Sequence, residues 1–196
     1  MVRLDDERVD RVGQWYWRSI QVGDDFEAFV FLYFSFVVLV KVWADHDGVR
    51  LGAAGVGDHD SEGALVRKYC ASNTETYLQD VENLPEFKRL VGRVAKSGDP
   101  IVATVDAGER AKLSRLRQRY ASADKGWRGS TDKITGEGIG IALRSIRNNL
   151  FHGGKLYDSA DDKELIGYAI PILDAIVQAG ARTFLGLDLS RHVDGT

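Results

Sequence analysis

The sequence of 196 residues has a single cysteine, three prolines and no excess of positive charge. One cysteine, Cys70, cannot form an internal disulfide, so the chain is no disulfide scaffold, and a reducing compartment is expected. Scarce proline excludes a collagen-like chain, and a hydrophobic share of 44 % excludes intrinsic disorder. The formal net charge of −3 excludes a uniformly basic surface, although it leaves room for a local basic patch.

Long hydrophobic runs are also few. The longest uncharged run, residues 28–40, has 13 residues between Glu27 and Lys41, whereas a membrane-spanning helix needs about 20. The acidic segment from Asp5 to Glu7 stands where a secretion signal would need a basic start and an apolar stretch. We therefore expect a cytoplasmic protein without a membrane partner, in which residues 28–40 belong to a buried core helix.

Apolar residues recur at helical spacing along most of the chain, which predicts a mainly α-helical bundle. We expect four or five long helices with shorter helices and loops, all in one domain of residues 1–196 whose core covers about 25–185. Long helices are expected over residues 5–22, 25–44, 109–123, 138–151 and 159–185.

The remaining segments are predicted from turn residues and composition. Two or three short helices are expected between residues 62 and 97, with interruptions near Ser72 and at Pro85. Residues 126–136 and the Gly- and Asp-rich residues 45–61 are expected to be loops. Residues 101–105 have the composition of a strand.

Residues 143–155 concentrate two arginines, two asparagines, a histidine and a lysine around the apolar stripe of a predicted helix. A helix needs no such density of hydrogen-bonding side chains to build a core. The run from Arg147 to Lys155, RNNLFHGGK, resembles the HEPN superfamily, whose signature is an arginine, four to six residues and a histidine. The polar residue that the pattern places after the arginine is Asn148. The run is particularly similar to Apea-like HEPN domains of prokaryotic defence systems, and residues 26–44 are more loosely similar to the long aromatic helix of that branch.

The resemblance implies a HEPN-like helix bundle that forms a homodimer, in which two copies of the motif face each other across a composite cleft. It implies an endoribonuclease that uses no metal or other cofactor. In that family the ribose 2′-OH attacks its own phosphate and leaves a 2′,3′-cyclic phosphate and a 5′-OH. RNA is then the substrate, and a cognate antitoxin or a defence-system protein is a further expected partner.

The residue types suit this reaction on their own terms. His152 can exchange protons near neutral pH, and Arg147 can stabilise the negative charge that grows on the phosphate. Asn148 is expected to assist, and Arg144 and Lys155 to bind substrate. Positions 147 and 152 are separated by about 140° around an ideal helix. Either the helix is unwound near its end, or Arg147 reaches across to the partner chain.

A second basic region extends from Arg110 to Lys133. Lys112, Arg115 and Arg119 share one face of the predicted helix and are candidates for binding an RNA backbone, and the alternative is a solvated helix face. The run Gly136–Gly140 before the motif is interpreted as a flexible loop rather than a nucleotide-binding turn.

Other readings of these residues stay open. Arg147 could pair with an acid such as Asp158, while His152 caps the helix end. The triplets Asp45-His46-Asp47 and Asp58-His59-Asp60 are interpreted as acidic loop rather than as a metal site. For the whole protein, the alternatives to a nuclease are a non-catalytic HEPN dimer that binds RNA or a protein, and a scaffold dimer.

Overall fold

The structure is a computed structural model that describes residues 6–49, 58–94, 105–121, 133–152 and 159–192. Among the residues of the predicted site, the side chains of Arg119 and His152 and all of Lys155 lie outside that description. The prediction for residues 101–104 and the alternative partner Asp158 lie outside it as well, as do the side chains of the second acidic triplet.

Helices account for nearly all of these residues, and within the described ranges there is no strand, so the prediction of a mainly α-helical fold is confirmed. Six helices have 15 or more residues and two have nine. In chain order they are α1 (Asp6–Gln21), α2 (Asp25–His46), α3 (Asp58–Ser72), α4 (Thr74–Glu82), α5 (Pro85–Arg93), α6 (Ala107–Ala121), α7 (Lys133–His152) and α8 (Ala160–Gly180). A π-helical turn, Ala181–Leu185, continues α8, and a 3₁₀ turn, Leu189–His192, follows.

The ends of several helices follow from local side-chain chemistry. The Asp24 carboxylate accepts a hydrogen bond of 3.0 Å from the backbone N–H of Glu27 and so caps α2. Ser159 caps α8 in the predicted way, accepting a bond of 3.1 Å from the backbone N–H of Asp162. Pro85 occupies the first turn of α5, where its missing N–H costs no helical hydrogen bond.

The bundle is built around α2, which contacts α1, α3 and α8. Its buried side chains include Phe29, Phe36 and Trp43, and Phe36 and Trp43 both meet Tyr69 of α3 edge to face. A second group of packed helices is formed by α7, which lies along α3 on one side and against α6 on another. The buried core runs through the group around α2 and the group around α7, and it includes residues from Val12 to Leu189.

Two helices are long and apolar enough to cross a membrane when length and composition alone are considered. They are α2, and α8 together with its continuation to Leu185. In each, 56 % of the apolar window is buried inside the described structure, and the core helix of a soluble protein meets the same criteria of length and composition.

The structure corrects two loop predictions. We predicted a loop over residues 45–61, but α2 continues to His46 and α3 begins at Asp58. The second correction lies next to the motif. We predicted a loop over residues 126–136, but α7 begins at Lys133 and takes the glycines of the run Gly136–Gly140 into its first turns. The reason is close packing. A Cβ on Gly136 would lie 2.1 Å from the backbone oxygen of Cys70, and one on Gly140 would lie 3.2 Å from the Cα of Arg67. The glycines allow α3 and α7 to touch, and they do not mark a turn.

Candidate functional site

The motif lies on the last turns of α7, which is one unbroken helix from Lys133 through His152. Positions 147 and 152 therefore keep the separation of about 140° of a regular helix, and the unwinding considered as one solution does not occur before His152. The motif end of α7 lies beside Phe26 in the first turn of α2 and Glu62 of α3. Residues from three helices thus meet around Arg147.

Arg147 is held by several weak contacts and keeps 29 % of its side chain exposed. Its Nη1 donates a hydrogen bond of 3.0 Å to Oδ1 of Asn148. Its guanidinium lies 5.1 Å from the ring centre of Phe151 and 5.8 Å from that of Tyr33, a range in which a cation is attracted to an aromatic face. A carboxylate oxygen of Glu62 lies 3.8 Å from Nη2. The group is thereby oriented while part of it stays open to solvent.

Phe151 forms the exposed edge of this site, with 46 % of the residue accessible. Its ring centre lies 6.4 Å from that of Phe26, and the two rings are tilted by 40°. Phe151 thus places an exposed aromatic ring directly beside the Arg147 guanidinium.

Tyr33 forms the buried floor of the site. Its hydroxyl is fully buried and has no hydrogen-bond partner in the described part of the chain. Burial raises the pKa of this hydroxyl and the negative charge of Glu62 raises it further, whereas Arg147 and Arg144 act in the opposite direction. Unpaired buried polar groups are rare in folded proteins and call for a specific explanation.

Arg144 belongs to an ion-pair cluster one turn before Arg147. Its Nη2 donates hydrogen bonds of 2.8 Å to both carboxylate oxygens of Glu109 on α6. Arg67 of α3 donates to the same carboxylate. The Nε of Arg144 is buried and has no partner among the described residues. We predicted that Arg144 binds substrate. In the structure 86 % of its side chain is buried, and through Glu109 it links α7 to α6 and, by way of Arg67, to α3.

Glu109 is fixed in turn by the start of α6. Its backbone N–H donates a hydrogen bond of 2.8 Å to Oδ1 of Asp106, and the backbone N–H of Asp106 donates to Oε2 of Glu109 at 3.4 Å. This reciprocal arrangement is a capping box with aspartate in the first position. The hydrogen bond from Glu109 is the main reason that the pKa of Asp106 lies below its usual value.

The predicted RNA-binding face of α6 is divided between paired and exposed cations. Lys112 is paired with Glu137 of α7. Arg115 is exposed, as are Arg110 and Arg117 of the same helix. The structure thus places Lys112 and Arg144 next to carboxylates and leaves Arg115 available to an outside partner.

The first acidic triplet has partners of its own. Asp45 is paired with Arg8 of α1, and His46 Nδ1 lies 2.9 Å from Oδ1 of Asp47. Across the described residues, no three histidine, cysteine, aspartate or glutamate side chains come close enough together to hold a metal ion.

Sequence reasoning did not find Tyr33, Glu62, Glu109 or Arg67 as parts of the site. The spacing of Asp106 and Glu109 carries a local signal, because an acid three residues before a glutamate can start a helix. The other three residues reach the motif only through packing of distant helices, for which the sequence contains no short-range pattern.

The chain matches no protein-family model, no curated protein and no solved structure. A catalytic function for the motif therefore depends on the residues around Arg147 and on the resemblance of the run RNNLFHGGK.

Proposed function

We propose that this protein is a metal-independent endoribonuclease of the HEPN type that works as a homodimer, in a defence or toxin role. Arg147, Asn148 and His152 are its reacting residues. RNA is cut by attack of a ribose 2′-OH on the adjacent phosphate, which leaves a 2′,3′-cyclic phosphate and a 5′-OH.

The observation that carries the proposal is the setting of Arg147. Its guanidinium is partly exposed at the end of a continuous helix, hydrogen-bonded to Asn148 and lying over the exposed ring of Phe151. A guanidinium offers a planar set of donors to phosphate oxygens, and a neighbouring aromatic ring can stack on an unpaired base. A single-stranded RNA presents both groups to such a site.

The proposed reaction uses two histidines. One His152 takes the proton from the 2′-OH, whose oxygen then forms a bond to phosphorus while the bond from phosphorus to the 5′-oxygen breaks. The symmetry-related His152 gives a proton to that 5′-oxygen, so the protons balance over one turnover. Arg147 stabilises the charge that develops on the phosphate oxygens.

The regular helix favours a composite site over a site within one chain. The backbone positions of Arg147 and His152 lie on different faces of α7, which favours a cleft that takes Arg147 from one chain and His152 from the other. A twofold axis next to the exposed end of α7 would bring the Arg147 of one protomer to the His152 of the other.

The test is cleavage of an end-labelled RNA in the presence of EDTA. We expect the wild-type protein to leave 2′,3′-cyclic phosphate ends, and the variants Arg147→Ala and His152→Ala to lose at least about a hundredfold in rate. The matched controls Arg89→Ala on α5 and His46→Ala at the end of α2 should cut at the wild-type rate. Equal cutting by His152→Ala and wild type would end the proposal.

The dimer is tested by mixing subunits. If one cleft needs both histidines, exchange of wild-type protein with an excess of His152→Ala subunits should reduce activity with the square of the wild-type fraction. A linear decrease would show that each chain carries a complete site.

A second candidate is RNA binding without cleavage. It is favoured by the contacts of Arg147 with Asn148 and Glu62, which give this residue a structural role as well, and by the exposed Arg115 on α6. It predicts that RNA is retained in a gel-shift assay at low salt, that no cyclic phosphate forms, and that retention survives the change His152→Ala.

A further inference from the structure

A cavity of about 430 Å³ lies at the other end of α2, away from the motif. Arg8 and Arg11 of α1 line it together with Lys41 and Asp45 of α2. Its apolar lining includes Val38 of α2 and Leu65 of α3. Lys41 follows Phe26 by fifteen residues, which corresponds to about 22 Å along a helix.

The helical spacing explains why these side chains converge. Arg8 and Arg11 are three residues apart, and Lys41 and Asp45 are four apart, so each pair shares one face of its helix. Val38 precedes Lys41 by one turn and lies on that same face. The charged side chains of the cavity therefore come from two regular helices that pack against each other, and α3 adds Leu65 to its apolar lining.

The cavity carries a net positive charge within an acidic chain. Among the described residues, three cations and one carboxylate line it, which gives this lining a formal charge of +2 against −3 for the whole protein. The carboxylate, Asp45, is already paired with Arg8. Arg11 lies 3.6 Å from a carboxylate oxygen of Glu7 on its own helix, and both side chains are mostly exposed. Two cations therefore face the cavity without a strong partner in the described part of the chain.

The positive charge and the apolar lining of the cavity together favour one class of ligand, a phosphomonoester. A phosphomonoester is close to a dianion at neutral pH and matches a charge of +2, whereas a carboxylate supplies only one negative charge. Arginine and lysine both recognise phosphate, the first through its planar donors and the second as a point charge. The volume falls in the range of about 300–1,000 Å³ that is usual for small-molecule sites, and the apolar side chains suit an uncharged body attached to the phosphate.

We infer that this cavity binds a phosphomonoester with a compact apolar or aromatic body, through Arg11 and Lys41. The inference does not depend on the proposed ribonuclease activity, since the cavity shares no residue with the motif site.

Isothermal titration calorimetry of the full chain tests it, with adenosine 5′-monophosphate and phenyl phosphate as ligands and adenosine and inorganic phosphate as comparisons. We expect both phosphomonoesters to bind, and adenosine to bind at least about tenfold more weakly. Arg11→Gln and Lys41→Gln should each weaken binding about fivefold or more, while Lys88→Gln on α5, which also removes one exposed lysine charge, should not change it. Because both residues are exposed, these variants are expected to fold normally.

Several results would overturn the inference. One is equal affinity for adenosine 5′-monophosphate and adenosine, and another is equal binding by the Lys41→Gln and Lys88→Gln proteins. Inorganic phosphate binding as tightly as phenyl phosphate would remove the apolar part of the ligand assignment.

The 5′ end of an RNA strand carries the same phosphate, so a dinucleotide with a 2′-deoxy linkage is compared with and without its 5′-phosphate. If the 5′-phosphorylated dinucleotide binds more tightly than adenosine 5′-monophosphate, the site is supported and the phosphate it recognises is that of a strand end.

Discussion

Nη2 of Arg144 bridges the two carboxylate oxygens of Glu109 at 2.8 Å each, and so one nitrogen of the motif helix is bonded to a buried acid of α6. Arg67 of α3 shares that carboxylate. Glu109 keeps only 7 % of its side chain exposed, and it forms ion pairs with both arginines of this cluster. The position of the motif therefore depends on a residue that lies 35 positions before Arg144 in the sequence.

We predict that Glu109→Ala destabilises the fold by about 3 kcal/mol, because it leaves the covered guanidinium of Arg144 without its counter-charge. The measurement is the free energy of unfolding from urea titration followed by circular dichroism. Glu75→Ala, at an exposed position of α4, is the control and should stay within about 0.5 kcal/mol of wild type. If both variants unfold at the same urea concentration, the cluster contributes nothing to stability.

Gly136→Ala should destabilise the protein by about 2 kcal/mol, although alanine is the better helix former. The added Cβ would lie 2.1 Å from the backbone oxygen of Cys70 and 2.2 Å from Oγ1 of Thr74, and a backbone atom cannot move aside easily. Gly167→Ala on α8 is the matched variant. Apart from the adjoining backbone of α8 itself, no atom of the described residues lies within 4 Å of its Cβ position, so this change should stabilise the helix by about 0.5–1 kcal/mol.

Differential scanning calorimetry of the two glycine variants gives the comparison directly. A melting temperature below wild type is expected for Gly136→Ala and one above it for Gly167→Ala. Two shifts of the same sign would contradict the close approach of α3 and α7.

Phe151→Ala should reduce RNA affinity about tenfold, since stacking of a base on an aromatic side chain contributes about 1–3 kcal/mol. Its effect on stability should remain below about 1 kcal/mol because the ring is half exposed. The control is Phe34→Ala, another exposed phenylalanine, 39 % accessible, which contacts Trp15 on the α1 side of α2. Fluorescence anisotropy with a labelled oligonucleotide is the measurement. Equal losses in the two variants would argue against a stacking role.

Burial raises the pKa of the Cys70 thiol to about 12. The thiol therefore stays protonated in the folded protein at pH 8, and we expect a thiol-reactive reagent such as DTNB to label Cys70 only after denaturant is added. Rapid labelling of the folded protein at pH 8 would show that the site is open.

The same shift makes stability depend on pH. Because the pKa of Cys70 is higher in the folded state than in the unfolded state, its contribution to the free energy of unfolding is fully present below the pKa of an unfolded thiol. That contribution is lost as pH rises toward 12. Between about pH 9 and 10 the unfolded state releases this proton first, and stability should fall by up to about 1.4 kcal/mol per pH unit. Urea unfolding across this interval should show a smaller decrease for Cys70→Ala than for wild type. An unchanged slope in that variant would assign the pH dependence to other groups, such as the buried Tyr69 and Tyr77, whose pKa values burial also raises.

Local chemistry made some features of the fold predictable. Ser159 caps α8 and Pro85 starts α5 because caps and first turns depend on neighbouring residues only. The start of α7 was missed for the opposite reason. Glycine favours turns when a segment is considered alone, and only the contact of Gly136 with Cys70, 66 positions away in the sequence, shows that a small residue was needed inside a helix.

The candidate site likewise contains residues that a local pattern predicts and residues that only tertiary packing brings together. Arg147 and Asn148 stand out in the sequence because the motif is contiguous, and the regular helix that carries them follows from its apolar stripe. The partners Tyr33 and Glu62 come from α2 and α3, and their approach depends on how whole helices cross. The pairing of Arg144 with Glu109 likewise joins α6 to α7, which no local pattern encodes.

The glycines of α7 also bear on how the site can move. A rotation of this helix by one residue, about 100°, would turn a larger side chain toward the backbone of Cys70, where even a methyl group does not fit. Sliding α7 along α3 would meet the same obstacle. Arg147 thus sits on a helix whose rotation and register against α3 are fixed by this packing.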